Sequence, residues 1–354
     1  MKKLLSFISM FCMSMIVFAQ GSLLATLSHD GNISAFYGAS ALKSAMAAAE
    51  SGDVITLSSG QFNATNITKP ITLRGAGMSI STDSLNAHEA TIIQGSFTIN
   101  IADSLEGRLA MEGLYFNNGI TYSGVLNNAQ FLKCRFLSFT AGTNALSRNT
   151  SFIHCRIYKC YSQVGASNAF FINCAVGCPE SKSTSSSIEF SNCFIKFDYT
   201  QLNTYTTHGY YADGVINAYY KNCIIQATKS GTNNQIPSSC TAYYCVGLGY
   251  NNIFLNMANK NSTNKYVSDI KSVFKTYTTT SYDTYLQDRY NFKLTDEAAA
   301  KYLGTDGTQI GIYGGNLPYD ENPTIPQITK CNVAAKSTAD GKLSVDIEVK
   351  AAEY

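Results

Sequence analysis

Five segments between residues 131 and 225 share one pattern, and they read FLKCRF (131–136), FIHCRI (152–157), FINCAV (171–176), FSNCFI (190–195) and YKNCII (220–225). Each has an aromatic residue, a cysteine three positions later and a further apolar residue two positions after that. MEGLYF (111–116) and YNNIF (250–254) fit the same frame, with Leu114 and Asn252 in the cysteine position. The position recurs after 20, 21, 19, 19, 30 and 29 residues, and a period near twenty is typical of repeat proteins.

Within each segment the inward residues alternate, which predicts a short β-strand rather than a helix turn. The residue before the cysteine position is Gly113, Lys133, His154 or an asparagine (Asn173, Asn192, Asn222, Asn251). Glycine and asparagine tolerate a left-handed backbone, so a bend is expected there. Stacked coils place equivalent side chains about 4.8 Å apart. The sequence therefore predicts an all-β fold, a right-handed parallel β-helix, and five cysteines in register argue against a β-sandwich.

The flanks of the repeat divide the chain into four parts. Residues 1–19 are predicted to be a signal peptide, with Lys2 and Lys3 before an apolar run and Ala19 at the cleavage site. Residues 20–53 form a lead-in and an amphipathic capping helix at 39–50. Residues 54–320 form the β-helix, with QIGIYGG (309–315) as the last rung. Residues 321–354 form a β tail, expected to pack on the solenoid. These features predict an exported protein, extracellular, at the cell surface or in the periplasm, with no transmembrane segment.

Composition restricts the partners. The formal net charge is +2, so nothing global indicates nucleic-acid binding. The repeated cysteines are expected to be buried free thiols, because parallel stacked side chains have poor disulfide geometry. Cys240 and Cys245, in a long insertion, are the pair expected to form a disulfide. No cysteine and histidine spacing resembles a zinc site and no acidic trio suits calcium, so no metal and no cofactor is predicted.

The run SALKSAMAAAESGDVITLSSGQFNATNITKPITLRGAG (40–77), the ending GTDGTQIGIYGGNLPYDENPTIPQI (304–328) and the FxNCxI coils resemble pectin-lyase-like right-handed β-helix proteins exported by Bacteroidetes, which are mostly uncharacterised. The resemblance covers most of the chain after the signal peptide. It implies the fold, but not an activity, because this fold carries lyases, hydrolases, adhesins and proteins without known activity.

One set of candidates would serve a polysaccharide lyase or glycoside hydrolase acting on acidic polysaccharide. A lyase needs a base and a cation for the uronate carboxylate, and the basic candidates are Lys133, Arg135, His154, Arg156 and Lys159. Arg135 and Arg156 occupy the same position in neighbouring coils and should point outward. The alternative is that both arginines are simply solvated, near an acidic residue, and have no role in binding. A hydrolase needs paired carboxylates, and Asp213-Gly214 has no following aspartate pair, which favours a turn.

The other set would bind a glycan without cleaving it. Two insertions, at 197–214 and 229–244, are rich in Tyr, Asn and Thr, and a tyrosine offers a sugar both a ring face and a hydroxyl. The candidate ligand-binding residues are Tyr205, His208, Tyr210, Tyr211, Asp213, Tyr243 and Tyr244. The alternative is that these loops fold on their own aromatic residues. The row after the cysteine turns apolar at Ala175, Phe194, Ile224 and Ile253, which predicts cover by a loop. The sequence favours a non-catalytic exported glycan-binding or surface structural protein over the enzyme.

Overall fold

The structure is a computed structural model that describes residues 23–79, 89–142, 145–158, 160–162, 168–177, 180–181, 187–197, 217–227, 236, 238–249, 253–254, 257, 262–277, 290–324, 326–333, 336, 338, 340–342 and 344–350. The fold is all-β, as the repeat predicts. Mostly parallel strands form a β-solenoid of about 7 turns, with very little helix.

Three sheets run along the solenoid. The first contains, in spatial order, β2 (Asn32–Tyr37), β1 (Leu24–His29), β3 (Val54–Leu57), β6 (Thr72–Arg74), β9 (Ala110–Glu112), β13 (Gln130–Leu132), β17 (Thr150–Ile153), β20 (Asn168–Ile172), β23 (Ser187–Ser191), β25 (Ala218–Lys221) and β27 (Thr241–Tyr243). The second contains β29 (Lys265–Val267), β28 (Val246–Leu248), β26 (Ile224–Ala227), β24 (Phe194–Phe197), β21 (Ala175–Gly177), β18 (Arg156–Ile157), β14 (Arg135–Phe136), β10 (Leu114–Phe116), β7 (Thr91–Gln94) and β4 (Gly60–Asn63).

The third sheet is shorter and contains β22 (Glu180–Ser181), β19 (Cys160–Ser162), β15 (Phe139–Ala141), β11 (Ile120–Tyr122), β8 (Phe97–Ile99) and β5 (Asn66–Ile67). Two strands, β12 (Val125–Asn127) and β16 (Leu146–Arg148), pair separately. Each coil thus passes from the first sheet through a bend into the second sheet, and most coils continue into the third.

Stacked rows of identical residue types fill the solenoid. The rings of Phe131, Phe152, Phe171, Phe190 and Tyr220 stack with centroid distances of 4.7–5.2 Å between neighbours. The cysteine row lies beside them, wholly buried, and contains Cys134, Cys155, Cys174, Cys193, Cys223 and Cys245. Backbone N–H groups of Cys155, Cys193 and Cys223 donate to the sulfur of the next coil. This register is the reason that the period is fixed: each residue packs against its own equivalent.

The bend before each ladder residue is left-handed. Lys133, His154, Asn173, Asn192 and Asn222 have φ between 49° and 56°, and Gly113 has φ 63°. Asparagine is the side chain best suited to this region after glycine, which explains why it fills three of the positions. The bends predicted at these six positions are therefore confirmed.

The solenoid begins with a cap of two parts. Helix α1 (Ala41–Ala48) buries Ala41, Leu42, Ala45 and Met46 against the first coils, as its amphipathic pattern predicts. The lead-in, which the sequence analysis leaves without structure, contains the antiparallel hairpin β1–β2, and β1 pairs antiparallel with β3. The hairpin therefore continues the first sheet beyond the parallel coils.

The seventh segment is shifted from its predicted position. Val246 pairs with Ile224, so Cys245 occupies the ladder position that the sequence analysis gives to Asn252. Tyr244, with φ 51°, forms the bend in place of Asn251. The predicted disulfide is wrong, because Cys240 and Cys245 are both buried free thiols. Tyr243 accordingly belongs to β27 and Tyr244 to a bend, rather than to an insertion.

The chain after the last coil strand returns along the outside of the second sheet. This covering segment (residues 270–322, described at 270–277 and 290–322) contains the 3₁₀-helix Ile270–Ser272 and helix α2 (Asp296–Lys301). Its apolar residues form a second core with the outward row of the sheet, including Ala175, Phe194, Ile224 and Val246. The predicted cover of that row is confirmed, with Val246 in the place given to Ile253.

The segment QIGIYGG is not a rung. No strand is formed there; Ile310 and Ile312 are buried in the second core, on the outside of the solenoid. The β tail exists as the antiparallel hairpin β30 (Gln327–Val333) and β31 (Val345–Lys350). In β31, Val345, Ile347 and Val349 are exposed, and packing of the tail on the solenoid stays a prediction.

Candidate functional site

The row of bend residues holds the covering segment to the solenoid. Asn222 accepts from Thr305 N at 3.0 Å and donates to Thr305 Oγ1 at 3.2 Å. Asn173 donates to the carbonyls of Ile312 and Gly314 at 2.8 and 2.7 Å. His154 Nε2 donates to the Leu317 carbonyl at 2.9 Å. Along the covering segment, later residues therefore contact progressively earlier coils. The asparagine row thus has a second role, which is to hold this segment, and its spacing alone does not predict that role.

The basic cluster (Lys133, Arg135, His154 and Arg156) lies at the end of this path. Lys133 Nζ donates to Asp320 Oδ2 at 2.8 Å and to the Asn322 carbonyl at 2.9 Å. Arg156 Nη2 lies 2.6 Å from Glu321 Oε1, and Arg156 Nε donates to the Tyr319 hydroxyl at 2.9 Å. Acidic and aromatic residues of the covering segment therefore occupy this cluster.

Arg135 and Arg156 are neighbours on parallel strands, as the repeat predicts. The Arg135 guanidinium lies 4.0 Å from the centroid of the Tyr115 ring and 5.5 Å from that of Tyr158. Such stacking stabilises a cation. Arg156 is only 8% exposed, so it is not a solvated arginine; the acid that balances it is Glu321.

The ionisation of these groups follows from their contacts. Burial lowers the pKa of Arg156, but Tyr319 and Glu321 raise it more, so the guanidinium stays charged. Burial raises the pKa of Asp320, but its hydrogen bonds with Lys133 and with Asn322 N, together with the positive charge of Lys133, outweigh burial, so the pKa is lowered. Burial also raises the pKa of Tyr319 well above its ordinary value. Arg156 and Asp320 are therefore both charged at neutral pH, and each lies in an ion pair.

A second arrangement lies on the outer side of the first sheet, where β23, β25 and β27 are neighbours. Outward positions alternate with the buried aromatic row, and the outward residues here form the tyrosine face, defined as Glu189, Ser191, Tyr219, Lys221, Thr241 and Tyr243. All six are half-buried. The ring centroids of Tyr219 and Tyr243 are 5.7 Å apart, and Ser191 donates to Glu189 at 3.1 Å.

The tyrosine face combines the apolar surface of two aromatic rings with an acidic side chain, Glu189, and a basic side chain, Lys221. Glu189 pairs in register with Tyr219, and Lys221 pairs with Tyr243. Burial raises the pKa of Tyr219, and the nearby Tyr243 and Glu189 add to the increase. The Tyr219 hydroxyl therefore stays neutral and can both donate and accept a hydrogen bond.

The structure brings together only some of the predicted residues. Lys133, Arg135, His154 and Arg156 form one cluster, and Tyr243 joins the tyrosine face, with Tyr244 exposed at the adjoining bend. Lys159, Tyr205, His208, Tyr210, Tyr211 and Asp213 lie outside the described residues. Sequence reasoning missed Glu189, Tyr219 and Lys221. Their signal is positional, because positions four and two before each ladder residue face outward in the first sheet.

Within the described residues, histidine, cysteine, aspartate and glutamate side chains form no group of three suited to hold a metal ion. Over the same part of the chain, no helix has the length and apolar character needed to cross a membrane. Comparison with protein-family models, with curated proteins and with solved structures found no match to this chain. The function is therefore argued from the two arrangements above.

Proposed function

We propose that the protein is an exported, non-catalytic β-helix protein that binds a glycan through the tyrosine face. The observation that carries this proposal is the pair Tyr219 and Tyr243, half-buried with ring centroids 5.7 Å apart on one outer face. An aromatic ring packs against the C–H face of a sugar while its hydroxyl meets the sugar hydroxyls. Glu189 and Lys221, in register beside these rings, supply polar groups that orient the ligand.

The two insertions extend this proposal. The first insertion ends at residue 214, four residues before β25, and the residues of the second that precede position 241 lead into β27; these strands carry Tyr219 and Tyr243. The proposed binding set therefore includes the loop candidates Tyr205, His208, Tyr210, Tyr211 and Asp213 together with Tyr243 and Tyr244.

The enzyme alternative has less support, because residues of the basic cluster already contact the covering segment. A catalytic base must reach the proton that it removes, and Lys133 and Arg156 instead contact Asp320 and Glu321. His154 contacts the Leu317 carbonyl. The proposed relation to the pectin-lyase-like proteins of Bacteroidetes rests on the sequence resemblance and on the parallel β-helix, and it carries no activity with it.

The test uses the full protein after removal of residues 1–19. It is mixed with a panel of neutral and acidic polysaccharides, and each mixture is separated by size exclusion. Co-elution with an intact polysaccharide is expected, and Tyr219→Ala with Tyr243→Ala should weaken binding at least tenfold. The control is Tyr37→Ala, which removes a 68% exposed tyrosine of β2. Shortened polysaccharide would overturn the proposal in favour of the enzyme, and equal binding by the double variant would remove the tyrosine face from it.

A further inference from the structure

The contacts of the basic cluster are those of a peptide-binding site. His154 donates to the Leu317 carbonyl and Lys133 to the Asn322 carbonyl. Two backbone contacts therefore flank the side-chain contacts of Tyr319, Asp320 and Glu321. A ligand that replaced this stretch with the same contacts would have to present two carbonyl acceptors on either side of two carboxylates, as an extended acidic peptide does.

Among the described residues, the outward row of the second sheet carries two cations and no carboxylate at this place. The outward row of the second sheet reads Ile92, Tyr115, Arg135, Arg156, Ala175 and Phe194 in register, without an acidic residue. Like charges on adjacent strands repel. The carboxylates contacting Lys133 and Arg156 both come from the covering segment, and the Tyr319 hydroxyl accepts from Arg156 and donates to Glu321 at 3.0 Å.

We propose that Lys133, His154 and Arg156 form a binding site for an acidic peptide of the type tyrosine-acid-acid, and that Tyr319, Asp320 and Glu321 occupy it in the same chain. The covering segment is anchored independently at Asn222 and Asn173. Displacement of residues 317–322, which would also expose the buried Tyr319, would leave these two anchors in place. A partner protein that presents an extended acidic segment would then bind the vacated cations.

The test uses the full chain with Asp320→Asn and Glu321→Gln, which remove the two carboxylates and keep the shape of both side chains. The probe is a fluorescent synthetic peptide with the sequence of residues 316–323, NLPYDENP, and binding is followed by fluorescence anisotropy. The double variant should bind it at least tenfold more tightly than the unchanged protein. A peptide with Asn and Gln at the two acidic positions should not bind.

The matched control is Glu89→Gln with Glu106→Gln, which changes the net charge equally by removing two exposed carboxylates elsewhere. Adding Arg156→Gln to the double variant should cancel the gain. The proposal is overturned if the control gains as much as the double variant, or if polygalacturonate binds more tightly than the acidic peptide. Tyr219→Ala with Tyr243→Ala should leave peptide binding unchanged, which separates this test from that of the tyrosine face.

A second measurement does not depend on the folding of any variant. Excess acidic peptide is added to the unchanged protein, and amide hydrogen exchange is measured at residues 317–322. Displacement should accelerate exchange there at least threefold and leave the amides of β20 and β23 unaffected. Unchanged exchange at saturating peptide would overturn the proposal.

Discussion

The guanidinium of Arg156 and the carboxylate of Glu321 approach to 2.6 Å, with the Tyr319 hydroxyl bonded to both. The side chain of Arg156 is 10% exposed and that of Glu321 is 33% exposed. The pair joins the second of the five cysteine segments, FIHCRI (152–157), to the end of the covering segment. A largely buried cation depends on its counter-ion, so this contact should matter for stability more than an ordinary surface ion pair.

Glu321→Gln should lower the free energy of unfolding by about 1–3 kcal/mol, because it removes a charged partner from a buried donor. Urea denaturation at pH 7 measures the difference. Glu106→Gln, at an exposed position, should change stability by less than about 0.5 kcal/mol. Equal effects of the two substitutions would show that the Arg156–Glu321 pair has no special weight.

The Lys133–Asp320 pair should be sensitive to acid. The pKa of Asp320 is lowered in the folded protein, so its contribution is present above the unfolded pKa of about 3.9 and is lost as pH falls through the lower folded value. Because Asp320 is 38% exposed, the contribution should be about 0.5–1 kcal/mol. The stability difference between the unchanged protein and Asp320→Asn, measured in urea from pH 7 to pH 2.5, should shrink in acid. A constant difference would contradict this assignment.

The sequence predicts what each coil does locally. The bends at Asn173, Asn192 and Asn222 and the stacked rows follow from spacing and residue type alone, because every coil repeats the same inward pattern. The prediction fails at the seventh coil. There Tyr244 takes the bend position instead of asparagine, while Asn251 and Asn252 offer a false match nearby. Asn251 matches the asparagine of the preceding bends, but it is Cys245 that continues the cysteine ladder.

The covering segment could not be predicted because its contacts are not periodic. Lys133 and Asp320 meet only after the chain has completed its coils and returned, and nothing in either local sequence specifies the partner. The apolar outward row did predict that something covers it, but residue spacing does not reveal which part of the chain does so. Arg135 and Arg156 face outward, as the repeat predicts. The burial of Arg156 results from the covering segment, which the repeat does not predict.

The cysteine ladder should be chemically silent in the folded protein. Burial raises the pKa of Cys134 to about 12, and a thiol reacts as its thiolate. All six ladder cysteines are also wholly buried, so the reagent has no access to their sulfurs. N-ethylmaleimide at pH 8 should therefore leave the six ladder cysteines and Cys240 unmodified, and all should react after denaturation in urea. Peptide mass spectrometry reads each position separately. Modification of a ladder cysteine in the native protein, or a Cys240–Cys245 disulfide in a non-reduced digest, would contradict the structure.

The N-terminal hairpin carries a histidine that should respond to pH in the opposite direction from Asp320. His29 Nδ1 lies 2.8 Å from Asp53 Oδ1, and the hydrogen bond with Asp53 raises the pKa of His29. Glu50 N donates to Asp53 Oδ2 at 2.7 Å. Because the folded pKa is raised, the stability contributed by His29 is fully present below about pH 6.5 and is lost as pH rises through the folded value.

His29→Gln should therefore destabilise the protein at pH 5.5 and have less effect at pH 9, as measured by urea denaturation at both values. An NMR titration of the His29 ring gives the pKa directly. Asp53→Asn should move it back toward about 6.5, whereas Asp30→Asn should shift it less, because Asp30 Oδ2 lies 3.7 Å from Nε2 and is exposed. If His29 titrates at its ordinary value in the unchanged protein, the Asp53 carboxylate does not hold the imidazolium, and the hairpin is held by its other contacts, such as its backbone pairing with β3.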